Sequence, residues 1–597
     1  MGFVMFSSLR ILFDCLTAAQ KTRLLYLQVL IILMSILEVT SIALIGPFLS
    51  FIISENNNPE ILQFLSTFVN FNDSADLILY LGLFVLAVIF ISTMISILTT
   101  FRLAMFSART GAEISDRLFR YYCDQDILYH DSKNTSLITK NLSTETLRMT
   151  DLVINPLMQM NAKIVLCIFI LIFIFVINPS AAIVGISVFL VTYLLIYLGV
   201  KKRLDVNGRD LTDVISQRFL IINECFGGIK ETILLDKINF YHGKYTKLGL
   251  LYSRTRGVNH AISLAPRYLV ELMAYGGIIV SILIYLVLFP NELKTFISLV
   301  SIYAIASLKL LPALQQIYTS ITQIRGNITS FLHIKDDLLA ATEAINPIKK
   351  HNVSFFEEMR LENVSFKYPN KDTAAINKIS LEILRNESIA FVGPSGSGKS
   401  TLVNLVLGLL VPSSGELNVN GECLGFNAVE NRNSLIGYVP QDIYLTDKTI
   451  LENIAFGVDV AEIDLSKVTN AIKSANLEGF IDTFEHGLNT LVGERGVQIS
   501  GGQKQRIGIA RALYNDPEIL IFDEATSALD GNAEKLILES INSILHKKTI
   551  IMVAHRLNTV KNCDRIYIME DGHIVESGIY DTLIRDSEKF RRMIDNG

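Results

Sequence analysis

Residues Glu387 to Leu410 read ESIAFVGPSGSGKSTLVNLVLGLL: a short apolar run, a glycine-rich turn, then an apolar helical run. The turn, Gly393-Pro394-Ser395-Gly396-Ser397-Gly398-Lys399-Ser400-Thr401, is a complete phosphate-binding loop in the strand, loop, helix order the motif requires. Glycines let backbone N–H groups approach phosphate oxygens without a Cβ clash, and the helix start adds partial positive charge. Lys399 is the residue to contact β- and γ-phosphates, and Ser400 the one to ligate Mg²⁺. A Gly/Ser-rich loop with no ligand is the bland alternative, and the strand before it and the helix after it argue against that.

A second apolar run, Glu518 to Phe522, ends in Asp523-Glu524. Alone, an acidic pair at a strand end is commonplace. Beside a phosphate loop it suits Mg²⁺ ligation through water by Asp523 and activation of an attacking water by Glu524.

The segment Val497-Gln498-Ile499-Ser500-Gly501-Gly502-Gln503-Lys504-Gln505-Arg506 resembles the signature motif of ABC transporters, with Ile499 where Leu is more usual. The resemblance implies an α/β P-loop NTPase of the ABC type that binds ATP and Mg²⁺. It implies Tyr368 as the aromatic that stacks on adenine, and Gln441 at the coupling loop, a Mg²⁺ ligand with Ser400 and Asp523. It further implies Ser527-Ala528-Leu529-Asp530 after the acidic pair, and His555 as the switch histidine at the γ-phosphate. In this family Ser500, Gly501, Gly502 and Gln503 of one chain cap the nucleotide held by Lys399 of another, so one chain builds no complete site. The expected assembly is therefore a homodimer of half-transporters, with Lys399, Glu524 and His555 catalytic in both sites.

Apolar stretches that suit membrane helices of about 20 residues occur at Leu24–Ile53, Leu77–Thr100, Ile164–Ile177, Ala181–Val200, Leu269–Phe289 and Phe296–Ile317. The third and fourth are separated only by Asn178, Pro179 and Ser180, a tight helical hairpin. The connection Ser54 to Asp76 has no Lys or Arg. The next holds Arg102, Arg109, Arg117, Arg120, Lys133, Lys140 and Arg148, and the one after it opens with Lys201, Lys202 and Arg203. Basic residues mark the cytoplasmic side, which puts both chain ends and the ATPase domain inside. The inner connections are too long for turns, and the pattern Leu118, Tyr121, Tyr122, Ile127 is helical. They read as helices prolonged beyond the bilayer, levers that can rest on a cytoplasmic partner; the ABC transporter resemblance implies that Gln441 and the stretch Gly493-Glu494-Arg495-Gly496 lie where such levers are felt. Charge reversal at Glu494 is expected to uncouple hydrolysis from transport.

The expected fold is thus a membrane all-α domain of six transmembrane helices, of the ABC exporter type, over residues 1–340. A linker follows at 341–357, and an α/β ABC nucleotide-binding domain at 358–597. Composition agrees: half the residues are hydrophobic, concentrated before about Ser320, and the net charge of −5 carries no nucleic-acid footprint. The six cysteines are scattered without a C-x-x-C pair, which indicates neither zinc nor a disulfide framework. Arg10, Asp14, Lys21 and Arg23 interrupt the first apolar residues, so Met1 to Arg23 reads as a cytoplasmic amphipathic helix rather than a signal peptide.

Cargo rests on the ionisable residues of the membrane half. Arg267 and Glu271 are four apart on the fifth helix, and Lys309 lies about four turns into the sixth. Such groups are functional candidates by default. One reading neutralises Arg267 with Glu271 at the inner interface and lets Lys309 snorkel to headgroups. The other makes Arg267 and Lys309, doubled by dimerisation, a basic cavity for an anionic cargo. Glu38 fits a polar packing contact better than a substrate contact. The membrane half, with Glu38 ahead of Ile45-Gly46-Pro47-Phe48, the Pro266-Arg267 pair, and Leu310-Leu311-Pro312 followed by Tyr318-Thr319-Ser320, resembles bacterial flippases of lipid-linked oligosaccharides. That resemblance implies a polyprenyl-pyrophosphate glycan moved from the inner to the outer leaflet of a bacterial inner membrane. A peptide or bacteriocin exporter, a lipid A or multidrug exporter, and an ATP-gated channel or regulator remain as alternatives, the last disfavoured by the intact Glu524.

Overall fold

Several of the helices are far longer than a bilayer needs. The computed structural model describes residues 2–53, 74–177, 179–288, 293–343, 355–369, 371–423, 435–493, 496, 499–524, 531–554 and 556–596. Contacts divide the chain into two units, Met1–Gln125 with Tyr129–Asn346, and Asp126–Leu128 with Pro347–Gly597.

The first unit is helical: α1 (Gly2–Asp14), α2 (Ala18–Ile53), α3 (Ser74–Cys123), α4 (Ile127–Ser132, whose first two residues count with the second unit), α5 (Thr135–Ile177), α6 (Pro179–Gly227), α7 (Ile229–Leu234), α8 (Ile238–Leu288) and α9 (Leu293–Glu343). The six apolar stretches fall in order on α2, α3, α5, α6, α8 and α9, with Phe289 outside the described residues. At 1.5 Å rise per residue, the 50 residues of α3 and the 51 of α9 run about 75 Å, against a hydrocarbon core of about 30 Å. Most of each long helix therefore projects beyond the apolar layer. Among the described residues, Ala18–Ile45, Ile78–Cys123 and Thr135–Ile177 are long and apolar enough to cross a membrane. Exposed Leu83, Phe84, Phe90, Ile91, Ile97 and Phe101 on α3 form the lipid-facing surface that such a span requires.

α5 ends at Ile177 and α6 opens with Pro179 at its first position, where a missing N–H costs no helical bond. Asn178 and the connection 54–73 lie outside the described residues. Beyond the membrane the helices share a core of Ile114 and Leu118 from α3, Met149 and Val153 from α5, and Ile324, Phe331, Ile334 and Leu338 from α9. Their three- and four-residue spacing puts one apolar face of each helix into the bundle.

Among the described residues, the second unit contains two sheets. β1 (Glu358–Phe366), β2 (Ile376–Leu384), β4 (Ser414–Val419) and β5 (Glu422–Cys423) form an antiparallel sheet in the order β2-β1-β4-β5. β3 (Ser388–Val392), β6 (Ile436–Val439), β7 (Ile519–Asp523), β8 (Thr549–Val553), β9 (Arg565–Glu570) and β10 (His573–Gly578) form the other, ordered β10-β9-β3-β8-β7-β6. Its central strands are parallel and only β10 runs against its neighbour. β3 and β8 are buried along their whole length, as strands covered on both faces must be. The covering elements include α10 (Lys399–Val406), α11 (Ile450–Ile454), α12 (Leu465–Ser474), α13 (Gly501–Leu513), α14 (Gly531–Ile544), α15 (Tyr580–Asp586) and α16 (Glu588–Asn596).

Within the first unit, α5 is interrupted by two π-helical turns, Asn141–Glu145 and Thr150–Ile154. Around the first of them lies a buried charge network. Glu145, fully buried, takes a hydrogen bond from Arg148 Nη1 at 2.9 Å and pairs with Lys140 Nζ at 3.6 Å. Lys140 also donates to Ser216 of α6 (2.8 Å), and Arg148 to Asn327 of α9 (3.2 Å). Two cations and one carboxylate thus tie α5 to α6 and α9, a buried polar joint within the bundle. Removing the shared anion would leave two buried cations without compensation. Glu145→Gln is expected to destabilise the helical unit by about 3 kcal/mol, seen as an earlier thermal melt. Arg120→Ala, at the exposed Arg120–Asp124 pair, should leave the melt unchanged.

Candidate functional site

The parallel ladder decides where the chemistry collects. Phe391 pairs with Val553, Asp523 with Val553, and Val439 with Phe522, so β3, β8, β7 and β6 end along one edge of the sheet. Ligands of open α/β sheets bind outside the carboxyl ends of the strands. Here that edge receives the phosphate loop after β3, Gln441 after β6, and Asp523-Glu524 at the end of β7. His555 follows the end of β8 but lies outside the described residues, as do Glu494, Arg495 and 525–530.

The loop's glycines are there for stereochemistry. Gly393, Gly396 and Gly398 have φ of +152°, +82° and +101°. A Cβ on Gly393 would come within 2.2 Å of the Met569 carbonyl, and one on Gly398 within 2.6 Å of the Ala375 carbonyl. The backbone is therefore held closely by β9 and the segment before β2 while its outer side stays free for a ligand. Gly572 N–H donates to the Ser397 carbonyl (3.1 Å), which fixes the loop from β10's side.

Lys399 begins α10 and is 5% exposed. Its ammonium donates to the Gly393 and Pro394 carbonyls, both at 2.9 Å. Burial pulls its pKa below the usual lysine value, partly offset by the nearby carboxylates Glu524 and Asp523. Ser397 Oγ is buried without a hydrogen-bond partner. A buried cation resting on its own loop's carbonyls and an orphaned hydroxyl are the features a phosphate chain would satisfy. Ser400, at the next helical position, is exposed.

Asp523 and Glu524 differ in surroundings although adjacent. Burial, then the neighbouring Glu524, raises the Asp523 pKa above the ordinary carboxylate value, while Tyr438 and Lys399 oppose this. Tyr438 OH donates to Asp523 Oδ2 at 3.3 Å. Glu524 has φ +50°, the left-handed region that a non-glycine residue adopts only when its surroundings enforce it. Its N–H is held by the Val553 carbonyl at 3.0 Å, which stops the strand and turns its side chain towards Gln441. Gln441 Nε2 donates to Glu524 Oε2 at 2.7 Å. Ser400 and Asp523 fit a Mg²⁺ ion, which takes one or two protein carboxylates and completes its octahedron with phosphate oxygens and water. Gln441, whose amide Nε2 is on Glu524 and whose side-chain carbonyl is a metal-ligating oxygen, fits the same shell.

Tyr368 packs edge-on against Phe366 with ring centroids 5.0 Å apart, and its hydroxyl lies 3.2 Å from Thr401 Oγ1. The adenine-stacking aromatic expected from sequence thus sits beside the phosphate-loop helix. Ser500 and Gly501 are exposed at the start of α13, and Gln503 Oε1 accepts from Ser500 N–H at 2.9 Å, while Gly502 is buried. Behind them Arg511 donates to the Asn453 and Tyr444 carbonyls at 2.8 Å each, with its pKa pulled down to about 10 by burial. In the helical unit, Arg267 Nε pairs with Glu271 at 2.7 Å, and Lys309 Nζ lies 3.6 Å from Glu38, which also accepts from Ser96 Oγ at 2.7 Å. Both cations singled out for cargo therefore have carboxylate partners.

Sequence reasoning missed Tyr438, Arg511, Ser96 and the Glu38–Lys309 pair. Tyr438 reaches Asp523 only because β6 pairs with β7 across more than 80 residues of chain, and no local spacing announces that. Glu38 and Lys309 each stood out as ionisable residues in apolar runs, the one signal that could have paired them.

The ABC transporter transmembrane region family matches residues 24–249, and the ABC transporter family matches residues 376–527. The ATP-dependent lipid A-core flippase of Ralstonia nicotianae is 41% identical over 228 residues, 38% of this chain and 38% of that protein. The leukotoxin translocation ATP-binding protein LktB of Mannheimia glucosida is 43% identical over 230 residues, 38% of this chain and 32% of that protein. The chain thus spans about two fifths of the length of the first of these relatives and a third of the second. A solved bacterial Atm1-family ABC exporter with ATP bound shares the fold at a TM-score of 0.74 and 21% identity, over 97% of this chain and 99% of that one. With a transmembrane region and an ABC domain in one polypeptide, on the exporter fold, the chain belongs to the ABC transporters as a half-transporter.

Proposed function

We propose that two copies of this chain form an exporter that hydrolyses ATP to move an anionic, lipid-borne cargo outward across a bacterial inner membrane, with both termini and the ABC domain cytoplasmic. The observation that carries the ATPase reading is the meeting of Gln441 and Glu524 at 2.7 Å on the strand edge that also holds Lys399 and Asp523. In this reading Lys399 leaves the Gly393 and Pro394 carbonyls for the β- and γ-phosphates, an exchange its burial favours because a phosphate is the stronger acceptor. Glu524 accepts the proton of the attacking water, and Gln441 holds that carboxylate in place until substrate arrives. Mg²⁺, when bound, supplies charge neutralisation across the phosphates. His555 would contact the γ-phosphate from the end of β8. The exposed Ser500 and Gly501 are free to cap a nucleotide on a second copy, which makes the site a shared one.

For the cargo, a lipid-linked oligosaccharide with a pyrophosphate remains the reading, with Arg267, Lys309 and Glu271 as the residues that meet it. Lys309 is half-exposed and its partner Glu38 is almost fully buried, so the lysine can turn to an incoming anion while Glu38 keeps its bond to Ser96. Arg267 is likewise exposed beside Glu271. Each cation is neutralised at rest, so a cargo must compete with a carboxylate, and a multiply charged pyrophosphate does so better than a single charge. The relatives of similar identity are named for lipid A-core and for leukotoxin, and the toxin-type alternative predicts that a peptide stimulates turnover.

Two measurements test these assignments. Glu524→Gln should lower ATP turnover by roughly 10²–10⁴-fold while leaving nucleotide binding intact, and unchanged turnover would remove Glu524 as the base. In proteoliposomes, Arg267→Ala combined with Lys309→Ala should abolish flipping of a lipid-linked oligosaccharide while basal ATP turnover persists. Full flipping in that variant discards the cationic cargo site.

A further inference from the structure

The junction of α1, α2 and α3 holds a cluster of arginines that neither the ATP site nor the cargo site uses. Glu113 of α3 is its centre. Its Oε1 accepts from Arg23 Nη1 of α2 and from Arg109 Nε of α3, each at 3.0 Å, and its Oε2 from Gln20 Nε2 at 2.6 Å. One turn on, Arg117 donates from Nη1 to the Cys15 carbonyl at 3.1 Å, while its Nε and Nη2 are buried without a hydrogen-bond partner. Lys21 lies 5.3 Å from the Phe13 ring centroid. Lys21, Arg23, Arg109 and Arg117 thus stand against Asp14 and Glu113, leaving a surplus of positive charge.

The position of the cluster names its ligand. Phe101, Met105, Arg109 and Glu113 follow one another at four-residue spacing along α3, so they share a stripe. Phe101 and Met105 are 60% and 54% exposed, and Arg109 is exposed beyond them. On α2, exposed Tyr26 and Val29 continue inward from Arg23 in the same way. The apolar stripes suit acyl chains, the tyrosine suits the interface, and the guanidiniums begin where headgroup phosphates lie. Glu113 fixes both guanidiniums from one side, which leaves their remaining N–H groups to bind a phosphodiester from the other.

We propose that this junction is a binding site for the phosphate of an anionic phospholipid of the inner leaflet, distinct from the cargo. The lipid's tails lie along the Phe101–Met105 stripe and its phosphate bridges Arg23 and Arg109. It would pin α1 and the start of α2 to α3. The proposal rests only on the membrane placement of α2 and α3 and is independent of what the transporter carries.

Native mass spectrometry of the full-length protein, purified in detergent and titrated with phosphatidylglycerol or phosphatidylcholine, tests it. The wild type should retain phosphatidylglycerol in preference. Arg23→Gln with Arg109→Gln should reduce that preference by about thirtyfold, since each basic residue near a headgroup contributes about 1 kcal/mol and tenfold is about 1.4 kcal/mol. Glu113→Gln separates ligand binding from mere packing: losing the competing carboxylate should maintain or strengthen phosphatidylglycerol retention, whereas a purely structural arginine cluster would weaken it. Millimolar inorganic phosphate should not displace the lipid. Equal retention of the two lipids by the wild type, an unchanged preference in the double variant, or displacement by free phosphate would each overturn the proposal.

Discussion

Parallel pairing of β3 with β8, of β8 with β7, and of β7 with β6 is the constraint on which the catalytic half depends. Four segments separated by as much as 160 residues end on one edge because their backbone ladders are in register. Without that register Lys399, Gln441 and Asp523 would be three unrelated residues. With it, the turn after β7 must place Glu524 in a left-handed conformation, and the Val553 carbonyl holds it there. The strain at Glu524 is small against the buried ladders that enforce it.

The helical half is governed by length and by polar satisfaction. Helices of about 50 residues cross a bilayer and continue into water as rods, because every backbone group inside lipid must be bonded within its own helix. Outside the apolar layer these rods are joined by an apolar core and by the Lys140–Glu145–Arg148 network, where the two π-helical turns lie. Within it or at its border, among the described residues, Glu38 pairs with Lys309 and Arg267 with Glu271. Pairing lowers the cost of placing charge near lipid.

Much of this was legible from local pattern. The phosphate loop, the acidic pair after an apolar run and the six apolar stretches are contiguous in sequence, and each falls on the element its pattern indicated. The reach of α3 beyond the bilayer followed from the helical spacing of Leu118, Tyr121 and Tyr122. Other features depend on partners that are distant along the chain. The Tyr438 hydroxyl on Asp523, the Gln441 amide on Glu524, and the neutralisation of Lys309 by Glu38 have no signal in any window of neighbouring residues. The Arg267–Glu271 pair, by contrast, was readable because helical spacing alone brings positions four apart together.

The amino-acid sequence by itself determined that one part of the chain lies in lipid and another binds phosphate, since hydropathy and the glycine, lysine and serine of the loop act through local backbone geometry. Only the tertiary structure decided which side chains share a site and which charges are cancelled. Those outcomes follow from strand order and helix packing, which bring together residues up to 271 positions apart, as Glu38 and Lys309 are. The cationic residues of the membrane half show the difference: sequence identified Lys309 and Arg267 as charges in costly places, and the fold gave each a carboxylate, because an unpaired charge near hydrocarbon is the more expensive state.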